Sequence, residues 1–128
     1  MPRRVITVEG LGHGGLPIPL AVEKDGMLVT GGVSSTDPAT GQRPEALEDE
    51  VAQIYANLRS ILDAAGFTVG DVVKVTFFVA DSSTRSLLNR GWLELFPDPE
   101  SRPARHTLRQ ELSAGQRVQA DILAIRRS

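Results

Sequence analysis

The sequence predicts an α+β fold, a mostly antiparallel sheet with two helices on one face. Three observations predict it. Two segments repeat apolar residues at helical spacing, and six shorter ones read as strands. Their order is β-β-β-α-β-α-β-β. The length of 128 residues suits one domain, spanning 1–128, with a real core.

"RVITV" (4–8) reads as the first strand. "LAVEK" (20–24) and "MLVTGG" (27–32) flank Asp25-Gly26, a pair favoured in tight hairpins. The spacing predicts a helix over 44–65, with Leu47, Val51, Ile54, Leu58, Ile61, Leu62 and Ala65 on its apolar stripe. Pro44 fits its first turn. Glu45, Glu48 and Asp49 suit the positive end of the helix dipole, and the carboxylates of "EALEDE" read as a solvated face. Gly66 is the expected C-cap. In "DVVKVTFFVA" the residues Val73, Val75, Phe77 and Val79 form one apolar face, expected under the helices. A second helix follows over 84–96, capped by Ser82 or Ser83, with Leu88, Trp92, Leu95 and Phe96 as its stripe. "ARHTLRQ" (104–110) and "RVQADILAI" (117–125) close the chain as strands. The helices cover one sheet face only, so oligomerisation is expected to cover the other.

Composition narrows the function. Net charge is −2, from 14 basic and 16 acidic residues, which argues against nucleic acid as a partner. There is no cysteine, so disulfides, thiolate metal sites and cysteine nucleophiles are excluded. With two histidines, a metal site is not expected. No apolar run approaches the ~20 residues of a membrane helix, and the polar start lacks a signal core, so a cytoplasmic protein is expected. "GLGHGG" matches G-x-G-x-x-G at Gly10, Gly12 and Gly15. A dinucleotide site needs a helix to open there, and Pro17 and Pro19 forbid one. A loop able to act as a lid is the better reading.

Arg105, in "RPARHT", stands out as a charge inside a strand. Alternation puts Arg105, Thr107 and Arg109 on one face. In the last strand Gln119, Asp121, Leu123 and Ile125 share a face opposite Val118, Ala120, Ile122 and Ala124. Pairing of the two strands as a hairpin would bring Arg105 near Gln119 and Asp121. A surface arginine paired with Asp121 explains the same pattern.

Several segments together resemble the Rid family, the reactive intermediate deaminases, also described as YjgF-type or L-PSP endoribonuclease-like proteins. They are "GMLVTGGVSSTDPATG", "ANLRSILDAAGFTVGDVVKVTFFVAD", "PARHT" and "VQADILAI". The resemblance implies a chorismate-mutase-like fold of the bacillus type, assembled as a homotrimeric barrel with clefts between subunits. It implies hydrolysis of 2-imino or enamine carboxylates, such as 2-iminobutanoate, to 2-keto acids and ammonia, with no cofactor. Arg105 aligns with the carboxylate-binding arginine, Thr107 and Asn89 with site neighbours, and Gly32 with the glycine of the S-G-Q segment. Three positions depart from the pattern. Gln119 stands where the family has an acid that helps place water, although a shifted register would offer Asp121. Ile18 replaces a pocket-closing tyrosine, and Val33 a glutamine. A non-catalytic carboxylate binder and an RNA-cleaving activity are the rival readings.

Overall fold

The computed structural model describes residues 2–126. Its elements are β1 (Arg4–Ile6), β2 (Ala21–Lys24), β3 (Met27–Thr30), α1 (Leu47–Ala65), β4 (Val72–Val79), α2 (Thr84–Leu95), β5 (Ala104–Arg109) and β6 (Val118–Ile125), in the expected order. Short 3₁₀ turns lie at Val69–Asp71 and Ser113–Gly115. The strands form one sheet in the order β1-β2-β3-β6-β4-β5, antiparallel except for the β4–β5 pair.

The hairpin between the last two strands does not form. β5 joins β4 in parallel at the sheet edge, and β6 inserts between β3 and β4. A helix such as α2 returns the chain to the end it left, so the strands it joins run parallel. β6 then takes a central place, where Val118, Ala120, Ile122 and Ala124 are all buried beneath the helices.

Local chemistry sets most of the boundaries. Asp25 and Gly26 both have positive φ, 52° and 81°, as a two-residue turn of type I′ requires. α1 starts at Leu47 rather than Pro44, with Ala46 at its N-cap and three acids in its first turn. It ends at Gly66, which is left-handed (φ 76°) and donates its N–H to the Asp63 carbonyl. At the start of α2 neither serine side chain caps the helix. Ser83 is the N-cap, and the Asp81 carboxylate accepts its backbone N–H at 2.9 Å. That bond holds the Asp81 carboxyl below its ordinary range.

Two inward-facing sets differ from the sequence pattern. A register shift between Val72 and Lys74 turns β4 over at its start, so Val72 is buried and Val73 is 42 % exposed. Glu50 is not on the solvated face with Glu45, Glu48 and Asp49. It sits on the inward row Glu50–Ile54–Asn57–Ile61 and is fully buried. Donors compensate its charge. The carboxylate accepts from Arg117 Nε (2.6 Å), the Arg117 backbone N–H (3.0 Å) and Ser35 Oγ (2.9 Å).

The helices meet where Gly91 faces Tyr55. A β-carbon at Gly91 would run into the Tyr55 ring, so the crossing needs glycine. Tyr55 donates its hydroxyl to the Leu88 carbonyl at 2.6 Å and packs on Phe77 at 5.6 Å between ring centroids. Burial pushes its phenol well above the ordinary range, so it remains a donor. Gly91→Ala should lower stability by about 1–2 kcal/mol, because overpacking outweighs the gain in helix propensity. Urea unfolding checks this, and an unchanged midpoint would show that Tyr55 moves aside without cost.

Part of the opposite sheet face is apolar and, among the described residues, uncovered. Val5, Val22, Val29 and Leu123 form a row in register across β1, β2, β3 and β6, with Met27 beside Ile125. Val5, Met27, Val29 and Ile125 are between 38 % and 57 % exposed.

Candidate functional site

Parallel pairing decides where Arg105 points. Arg105 lies opposite Val75 and Thr107 opposite Phe77, so both share the helix-covered face. The guanidinium reaches α2. Nη1 donates to Asn89 Oδ1 at 2.9 Å and Nε to Thr107 Oγ1 at 3.3 Å. Its carbon stands 5.4 Å from the Phe77 ring centroid and 5.2 Å from that of Trp92. Three predicted site residues, Arg105, Asn89 and Thr107, therefore meet. Among the described residues no carboxylate pairs with Arg105. A half-buried guanidinium held by neutral groups keeps its charge and its remaining N–H donors available for an anion.

Gln119 and Asp121 are elsewhere. Gln119 lies opposite Phe78 and Asp121 opposite Thr76, on the face away from the helices. Within one chain they do not converge with Arg105, and no Arg105–Asp121 pair forms. The cause is the parallel β5, which fixes Arg105 in the phase of Val75 and Phe77.

A second cluster forms on this outer face. From Val29 opposite Leu123 to Val33 opposite Ala120, the chain between β3 and Val33 holds one residue more than its partner. The bulge presents Gly31 and Gly32 outward. A β-carbon at Gly32 would stand 3.1 Å from Gln119 Oε1, so the missing side chain is what lets the amide lie on the backbone. Gln119, not Asp121, is the neighbour of Gly32. Asp121 lies beside Thr76 and Lys74, and burial raises its carboxyl above the ordinary range against those two opposing influences. Ile18 is 51 % exposed on the loop before β2. Val33 is buried and faces the core.

One neighbour of this cluster was not singled out from the sequence. His13, in the Gly-rich loop, lies over Gly31, with Nε2 3.1 Å from where a β-carbon would stand. Its only signal was a histidine amid glycines, which reads as a metal ligand lacking companions. Among the described residues no cluster of His, Cys, Asp and Glu could hold a metal ion. No helix follows the Gly-rich loop, and no described helix is long and apolar enough to cross a membrane.

Residues 19–125 match the family model described as Endoribonuclease L-PSP. The chain is 33% identical over 111 residues to a RutC family protein of Aquifex aeolicus, covering 86% of this chain and 89% of that one. It is 30% identical over 113 residues to the 2-iminobutanoate/2-iminopropanoate deaminase of Salmonella typhimurium, with 87% and 88% covered. The crystal structure of the YjgF gene product of Escherichia coli superposes with a TM-score of 0.86 at 28% identity, covering 97% of this chain and 99% of that one.

Proposed function

The chain belongs to the endoribonuclease L-PSP family, which includes YjgF and the Rid deaminases, and from that premise we propose that it hydrolyses small 2-imino carboxylates to 2-keto acids and ammonia. The observation that carries this reading is Arg105. Its charge has no carboxylate partner among the described residues, and Asn89, Thr107, Phe77 and Trp92 fix its direction. A guanidinium so held suits the carboxylate of a small substrate, gripped through two parallel hydrogen bonds. The protonated C=N beside that carboxylate is already electrophilic, so the protein mainly has to orient it and place a water.

The water is assigned to the outer-face cluster of Gln119 and Gly32. Since one sheet separates that cluster from Arg105, a complete site takes Arg105, Asn89 and Thr107 from one copy and Gly32, Gln119 and the Ile18 loop from another. The apolar row Val5–Val22–Val29–Leu123 supplies the surface that copies would bury, and a homotrimer is the proposed assembly. Water oxygen bonds to the imine carbon, and the C=N π pair moves to nitrogen. A proton passes from the added water to that nitrogen. The carbinol oxygen then forms C=O as the C–N bond breaks, and ammonium leaves with the remaining hydroxyl proton.

An amino-acid oxidase can generate 2-imino acids in the presence of semicarbazide. The chain should suppress semicarbazone formation by hydrolysing the imine first. Keto-acid binding that depends on Arg105, without any suppression across several side-chain sizes, would instead make this a carboxylate-binding protein. Gln119 in place of an acid is what favours that second reading.

A further inference from the structure

Gln119 can hold a water but cannot take its proton. Hydrolysis without a proton acceptor would be left to solvent. The outer-face cluster contains a side chain that can accept one. His13 Nε2 is buried, and it is the one buried side-chain nitrogen or oxygen among the described residues with no hydrogen-bond partner. Such an atom is costly to leave unmet and calls for a partner from outside the chain.

Its position is specific. The imidazole fills the space left by the missing side chain of Gly31, while Gln119 fills that left by Gly32. Consecutive residues of one bulge therefore each carry one of the two side chains, His13 against Gly31 and Gln119 against Gly32. His13 is also flanked by Gly12 and Gly14. Both have positive φ, 151° and 63°, and neither would meet any atom within 4 Å on gaining a β-carbon. His13 thus sits between two glycines whose backbone freedom allows the imidazole to shift and admit a water to Nε2.

We propose that His13 is the general base of the hydrolysis, resting on the deaminase reading above. Nε2 takes one proton from the water that Gln119 holds, as the water oxygen bonds to the imine carbon and the π pair moves to nitrogen. The imidazolium then returns that proton to the amine nitrogen, which prepares the C–N bond to break. The remaining hydroxyl proton leaves with the ammonia, so the imidazole ends unchanged.

Three variants test this in the full chain, with thermal unfolding confirming that each folds. His13→Ala should lower kcat about a hundredfold, with KM and keto-acid binding unchanged. Adding Gln119→Glu to it should restore most of the lost kcat, because the carboxylate brings a proton acceptor to the same water. Gly31→Ala should lower kcat by displacing the imidazole, and should cost nothing more in the His13→Ala background. Full kcat in His13→Ala, a loss confined to KM, or a loss that Gln119→Glu does not relieve would each overturn the assignment while leaving the deaminase reading intact. No hydrolysis by the unaltered chain would overturn both.

Discussion

Arg105→Ala is expected to lower kcat/KM for imine hydrolysis by about thirtyfold to several thousandfold while leaving the fold in place. The size follows from removing one partner of a charge-assisted pair with the substrate, about 2–5 kcal/mol, at tenfold per ~1.4 kcal/mol. Arg105→Lys should recover only part of the loss, because an ammonium lacks the planar fork that meets two carboxylate oxygens. The fold should survive, since the hydrogen bonds of the guanidinium among the described residues go to the neutral groups of Asn89 and Thr107, and its ring contacts to Phe77 and Trp92 are modest. The contacts of this half-buried guanidinium with the two buried rings are worth about 0.5–2 kcal/mol. Parallel steady-state kinetics and thermal unfolding separate the two effects. Near-normal turnover in Arg105→Ala would remove the carboxylate grip from the mechanism.

The second large effect is on stability. Glu50→Gln should cost about 3 kcal/mol, read as a Tm lower by roughly 10 °C. The carboxylate has no exposure and satisfies three donors, two from Arg117 and one from Ser35. Gln replaces one acceptor oxygen with an N–H₂ group that faces donors, so a buried mismatch follows. The cost stays below that of a wholly buried pair because the Arg117 side chain is 40 % exposed and keeps the Glu45 carbonyl at 2.7 Å. Glu48→Gln and Asp49→Asn, on the solvated side of the same turn, should change stability by only about 0.5 kcal/mol. Equal effects at all three positions would mean that the buried pair contributes nothing. Arg117 stands two residues before Gln119, so the same anchor also holds the end of β6 that bears the proposed water site.

Periodicity made the helices, the six strands and the Asp25-Gly26 turn legible, because each has a local cause. It could not order the strands. Alternation in β5 and β6 is equally consistent with a hairpin and with the parallel edge strand that forms, and only the second separates Arg105 from Gln119 by a sheet. The β4 bulge exchanged Val73 for Val72 because one extra residue inverts the phase of everything before it. Glu50 was hidden by its company: three neighbouring acids are solvated, and the donors that bury the fourth come from residues 35 and 117. His13 was illegible for the same reason, since its meaning depends on a glycine eighteen positions away. The trio of Arg105, Asn89 and Thr107 was reached through the family resemblance, and the geometry sets Asn89 and Thr107 each within hydrogen-bonding distance of Arg105.

A site divided between two copies makes the most direct test one of complementation. Arg105→Ala and Gln119→Ala subunits, each prepared alone, should be nearly inactive. Unfolding and refolding them together in equal amounts should restore activity at about a quarter of the interfaces, those that pair an intact Arg105 with an intact Gln119. Semicarbazone suppression returning to that level would establish that the carboxylate grip and the water come from different copies. A mixture no more active than the two variants measured separately would contradict it.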